Sequence, residues 1–278
     1  MVCPECGSIE ITKDPEGQFC KKCGLELGEI VIDNKGRKKC QVVQIPKIEV
    51  IIDPRKELDA LVLGLRNNKL VDKWENVLGF KLNSGKLSSE LKQKALILIK
   101  QAYKKNESLL EESKSKIESR WADVNNKFFF GTEDTMDFKW LILNHRCYLT
   151  LSTKYGFHNS IKNHIIIQQS LGKISNYVIA HELFHIIYRN YVTRFFKEKF
   201  TEEDKQLSKI IVTFMLLGND LIKSCFPDMK FSFDIYHKQE HKDLAKKLWP
   251  LWEKRTSFKE FMINSYKAIG VEKLWVSY

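Results

Sequence analysis

The chain has 278 residues, 43% of them hydrophobic and 29% charged, with 46 Lys and Arg against 35 Asp and Glu for a formal net charge of +11. That length and apolar content suit one sizeable core with a small appended module and exclude a disordered polar tract. The longest apolar run, near Ile210 to Leu217, is too short to cross a bilayer, and the first residues carry cysteines and acids instead of a secretory signal, so a cytoplasmic protein with no membrane partner is expected. The positive charge fits work near nucleic acid, or a lysine-rich surface kept for solubility, and the count alone does not choose between them.

The chain opens on Cys3-Pro4-Glu5-Cys6 and Cys20-Lys21-Lys22-Cys23, with 13 residues between the pairs. Each pair can fold into a tight turn that points both sulfurs at one ion, and two such turns complete a closed tetrahedral site. A module this small cannot bury a core, so a structural zinc on Cys3, Cys6, Cys20 and Cys23 would supply its folding energy. Gly7 and Gly24 follow the second cysteine of each pair, where a positive φ is often required. The remaining cysteines, Cys40, Cys147 and Cys225, are scattered and read as small apolar side chains.

With Gly7-Ser8, Asp14, Gly17, Gly24 and Glu29 through Ile32-Asp33, this opening resembles the N-terminal zinc ribbon of transcription factor IIB. The resemblance covers roughly the first 33 residues and implies docking on RNA polymerase, although the two cyclin-like repeats of that family do not follow.

Residues 1–33 are thus expected to form the ribbon, with β-like segments at Ile9–Thr12 and Glu29–Ile32. Residues 34–55 read as a basic linker with one strand near Ile48–Ile52, bounded by Pro46 and Pro54. Residues 56–125 are helical: Leu58, Leu61, Val62 and Leu65 recur at helical spacing, as do Leu91, Ala95, Leu98 and Ala102 after Ser88-Ser89. Asn83-Ser84-Gly85 separates the two patterns, and Glu111 to Arg120 reads as a solvated helix face.

In 126–278, β-like runs are expected at Phe128–Phe130, Trp140–Leu143, Tyr148–Ser152 and His164–Gln168. Helices follow from Ser175 towards Glu198, from Glu202 to about Ile222, and from His241 with a break at Pro250.

The helix from Ser175 carries His181-Glu182-Leu183-Phe184-His185. Residues four apart share a helix face, so both imidazoles can bind one ion while Glu182 projects beside them as a general base. The flanks, Val178-Ile179-Ala180 and Ile186-Ile187, are uncharged, as a buried active-site helix needs, and a buried glutamate without a task is costly. The strand His164–Gln168 is expected at the sheet edge, where an extended peptide could pair with it.

The region 120–225, on the strength of Asn163–Leu171 and Tyr177–Tyr191, resembles zincin metallopeptidases of SprT-like or WLM-like flavour. That resemblance implies an α+β body binding a catalytic zinc, a protein or peptide substrate, and in some relatives a role on DNA-crosslinked proteins. Asp220, which ends an apolar helix pattern and would find a partner in a metal, is taken as the third ligand; the alternatives are Tyr191, which stands where the WLM-like pattern has histidine, and Glu203, which lies between Glu202 and Asp204 in a first turn that the helix dipole alone would favour. His237 and His241 share the i, i+4 spacing but sit among Lys238, Gln239 and Glu240 and read as a solvated face.

The expectation is therefore a small β zinc ribbon joined to a mixed helical and β zincin-like domain, with one structural and one catalytic zinc. The function expected is a peptidase brought by its ribbon to RNA polymerase or a DNA-bound complex. The competing reading is a transcription-factor-IIB-like binding protein whose zincin body is inactive.

Overall fold

The computed structural model describes residues 45–66, 88–151, 156–159, 164–196, 199–227 and 239–273, and the backbone of 11–14, 17–20, 26–32 and 38–42. The protein is a mixed α+β chain that divides into two compact units, Met1–Ile45 and Pro46–Tyr278.

In the first unit four strands, β1 (Ile11–Asp14), β2 (Gly17–Cys20), β3 (Glu26–Ile32) and β4 (Lys38–Val42), pair antiparallel in chain order. Cys20 closes β2, and its side chain, with all of Cys3, Cys6 and Cys23, lies outside the described residues. The expected linker is more structured than its composition suggested. β4 falls inside it, and its last residues form β5 (Lys47–Ile52), which belongs to the second unit.

The second unit continues with α1 (Pro54–Arg66), α2 (Ser89–Lys105), α3 (Glu107–Met136), β6 (Asn144–Thr150), β7 (Phe157–Asn159) and β8 (His164–Gln168). After a 3-10 segment, Gln169–Ile174, come α4 (Ser175–Phe195), α5 (Glu202–Gly218), α6 (Asp220–Ser224), α7 (Gln239–Glu253) and α8 (Phe258–Ala268). The sheet order is β5-β6-β8-β7, with β5, β6 and β8 parallel and β7 antiparallel on the outside. The apolar run Ile165-Ile166-Ile167 is fully sealed, as an inner parallel strand requires. This corrects the expectation for His164–Gln168, which is an inner strand; the edge is β7, with His158 opposite Ile165.

The expected strand at Phe128–Phe130 is helix. A triplet of phenylalanines suits a strand locally, but Leu110, Ile117, Trp121 and Phe128 fall on one buried seam of α3 and continue it. Phe128 and Phe129 then stack edge-on with Trp121 and meet Phe184 and Trp140, building the aromatic heart of the unit. α3 ends where Asp137 takes a left-handed φ of 46°. Trp140–Leu143 is irregular, and the strand starts at Asn144.

Two buried carboxylates tie elements together. Glu57 of α1 accepts from the Tyr103 hydroxyl at 2.7 Å and from the Leu151 N–H at 2.6 Å, pinning the end of β6. Asp204 forms a capping box with Thr201 at the start of α5 and also accepts from the Tyr266 hydroxyl and the Lys273 ammonium, which anchors the C-terminal helix. Pro250 does not end α7, which runs on to Glu253. His241 is buried in that helix, contrary to its expected solvated face, and His237 lies outside the described residues. Cys147 and Cys225 are buried free thiols, as expected. Among the described residues no helix is long and apolar enough to cross a membrane.

Candidate metal centre

α4 is sealed on most of its circumference by Ile179, Ala180, Leu183, Phe184, Ile186 and Ile187. Its first half stays partly open only at Tyr177, Val178, His181 and His185. Three of these follow one another at four-residue steps, so they form one stripe along the helix.

Within that stripe His181 Nε2 and His185 Nε2 lie 3.1 Å apart. Two nitrogens each about 2.0–2.1 Å from a tetrahedral ion would be separated by roughly 3–3.5 Å, so the pair fits a shared metal. The second nitrogen of His185 is occupied, because Nδ1 meets the Ser208 hydroxyl of α5 at 2.6 Å. In the tautomer in which Nδ1–H donates to Ser208, the lone pair of His185 is on Nε2, the atom facing His181. Burial holds the pKa of His181 below the usual histidine value; His158 adds to this and the Glu182 charge opposes it. Burial, then His181, His158 and Lys209, holds His185 well below it. Both rings are therefore neutral near pH 7, the form that ligates metal.

Glu182 is 7% exposed, and its Oε2 lies 2.6 Å from Nδ1 of His158. The His158 ring also stacks on His185, with centroids 4.8 Å apart and planes at 23°. His158 escaped the sequence reading because a lone histidine beside Asn159 carries no periodic signal; only the pairing of β7 with β8 brings it over α4. Tyr177 completes the group. Its ring lies 6.1 Å from His181, and burial together with the Glu182 charge pushes its phenol up to about 12.

The proposed third ligands are elsewhere. Asp220 is the exposed first residue of α6, lining a cavity with Asp134, Asp137 and Arg255. Ser208 touches His185, and Gly218, two residues before Asp220, is ten residues further along the same helix, about 15 Å of rise. Tyr191 is 2% exposed and packs edge-on against Phe138 and Phe258 in the core. Glu203 sits in the exposed first turn of α5, where a hydrogen bond with Thr201 holds its carboxyl below the usual range. Among the described residues no three His, Cys, Asp or Glu side chains form a group that could hold a metal ion, so a metal on His181 and His185 would have two ligands from them.

The chain matches no protein-family model and shows no significant similarity to any curated protein or solved structure. The site offers two neutral imidazoles facing one another, a buried carboxylate and a phenol beside them, and a third imidazole on an edge strand above.

Proposed function

We propose that the second unit is a zinc-dependent peptidase. The observation that carries this reading is the 3.1 Å approach of His181 Nε2 to His185 Nε2, with the buried carboxylate of Glu182 at the next position of the helix. Zinc bound there would polarise a scissile carbonyl and acidify a water molecule. Glu182 accepts the proton of the attacking water and passes it to the departing amine. Ser208 holds His185 in the tautomer that ligation needs. The Tyr177 phenol, kept protonated by burial, donates a hydrogen bond where negative charge develops on the carbonyl oxygen. Among the described residues β7 is the outermost strand of its sheet, and an extended peptide could lie along its outer side, beside the His158–Glu182 contact.

In the same reading Cys3, Cys6, Cys20 and Cys23 hold a structural zinc, and the ribbon carries the cytoplasmic enzyme to RNA polymerase or a DNA-bound protein complex. The support is the spacing of the cysteine pairs and the likeness of the first 33 residues to the transcription factor IIB ribbon, joined to a net charge of +11.

The test is hydrolysis of a mixed peptide library by the zinc-loaded full chain and by its Glu182→Gln variant. Cleavage by the wild type, abolished in a variant with unchanged zinc content, supports the mechanism. Equal cleavage by both overturns it. No cleavage by a zinc-replete wild type turns the reading to a transcription-factor-IIB-like binding protein with an inactive body.

A further inference from the structure

Two cavities of the second unit adjoin, one of about 680 Å³ and one of about 530 Å³, and Asp134, Asp137 and Leu221 line both. They make one groove between the end of α3 and the start of α6. Part of its floor is apolar, built from Phe130, Phe138 and Leu221, and Leu221 is 42% exposed. A large apolar side chain left open beside aromatic ones is a surface that gains from being covered.

The groove is set by how α3 and α6 meet. Gly131 lets them come close, since a Cβ there would lie 2.9 Å from Cγ1 of Ile222. Asn219 then pins the junction: its side-chain amide donates to the Gly131 carbonyl and the Thr135 hydroxyl, and its oxygen accepts from the Ile222 N–H at 2.9 Å. The walls are therefore preorganised, which lowers the cost of binding.

The rim is acidic. Asp134 stands in the last turn of α3, Asp137 caps that helix and Asp220 opens α6, all three exposed. Among the described residues none of the three carboxylates has an ion-pair partner. Negative charge at a helix C-terminus opposes the helix dipole, and the last turn of α3 holds no basic residue. The two cations of the lining are engaged elsewhere. Lys139 pairs with Glu133 at 2.7 Å, and the Arg255 guanidinium lies 3.7 Å over the Trp252 ring and donates to the Trp252 carbonyl.

We infer that this groove docks an extended peptide segment of a partner protein in which lysine or arginine stands beside a large apolar residue. The apolar side chain covers Leu221, and the cation lies among Asp134, Asp137 and Asp220. Charge complementarity selects this occupant. The chain as a whole carries +11, so a basic segment is repelled by most of its surface and attracted here. An acidic rim repels nucleic acid by the same field.

The experiment is fluorescence anisotropy of the full chain with an array of labelled octapeptides that permute lysine, arginine, leucine and phenylalanine. Two further arrays replace the basic residues by glutamate or the apolar ones by serine, and both should lose binding. For the tightest peptide, Asp134→Asn combined with Asp220→Asn should weaken affinity ~10-fold or more, and Leu221→Ser should weaken it by a similar factor. Glu112→Gln combined with Glu202→Gln makes the same charge change at exposed positions more than ~20 Å along their helices from the groove. That variant should bind as the wild type does. Equal losses in the two double variants, unchanged affinity in Leu221→Ser, or no binding by any basic peptide of the array overturns the assignment.

Discussion

Gly156 and Glu182 are in near contact across the gap between strand and helix: a Cβ on Gly156 would fall 2.9 Å from Glu182 Oε1 and 2.5 Å from Cγ1 of Val178. No side chain fits there without moving one of them. The glycine is what lets β7 descend onto the HExxH helix and bring His158 to the carboxylate. Gly156→Ala should cost about 1–3 kcal/mol of stability by overpacking. Urea denaturation checks this, and a variant as stable as the wild type would show that the segment relaxes freely.

Ser208 would act at one remove from a metal bound by His181 and His185, through its 2.6 Å hydrogen bond with His185 Nδ1. Ser208→Ala should leave the fold intact and weaken metal binding about 10–100-fold, the range for loss of an outer-sphere partner. Ser208→Thr, which keeps the hydroxyl, should lie closer to wild type. Equilibrium dialysis against a zinc chelator reads both.

Glu57 holds the sheet to α1. Glu57→Ala would leave the Leu151 N–H without its 2.6 Å partner, while the Tyr103 hydroxyl keeps the Leu149 carbonyl at 3.2 Å. One orphaned buried donor costs about 1–3 kcal/mol. Chemical denaturation should show that loss.

His145 gives the fold a defined acid sensitivity. It is fully buried between Phe129 and Trp140, and burial lowers its pKa from the ordinary 6.5 to about 4. Between those values the unfolded chain binds a proton that the folded chain does not, so stability falls as pH drops. Above pH 6.5 the group contributes no slope, and below about 4 the penalty is complete. His145→Leu should remove up to ~1.4 kcal/mol of destabilisation per pH unit within that window. Denaturant midpoints of both proteins from pH 7 to 4 test this, and parallel curves would contradict it.

How much was legible in the sequence follows how local each signal is. The His181–His185 pair was visible because ligand spacing and helix pitch coincide, and α4 was visible because its apolar flanks are contiguous. Phe128–Phe130 misled because three β-formers in a row outweigh, locally, a seam that spans the 30 residues of α3. Asp220 misled differently. An acid at the end of an apolar stretch looked poised for a partner, yet the chain breaks at Asn219, whose side chain caps α6 and leaves Asp220 in solvent. His158 was invisible for a third reason. β7 is three residues long, and its face is set by pairing with β8, a relationship no sequence period records.

The most direct test of the central claim is elemental analysis of zinc in the full chain purified without chelator, beside His181→Ala. The variant should hold one zinc fewer per chain than the wild type, with the zinc of the ribbon cysteines still bound. The same zinc content in both, unchanged after incubation with excess zinc, would contradict a metal centre on His181 and His185.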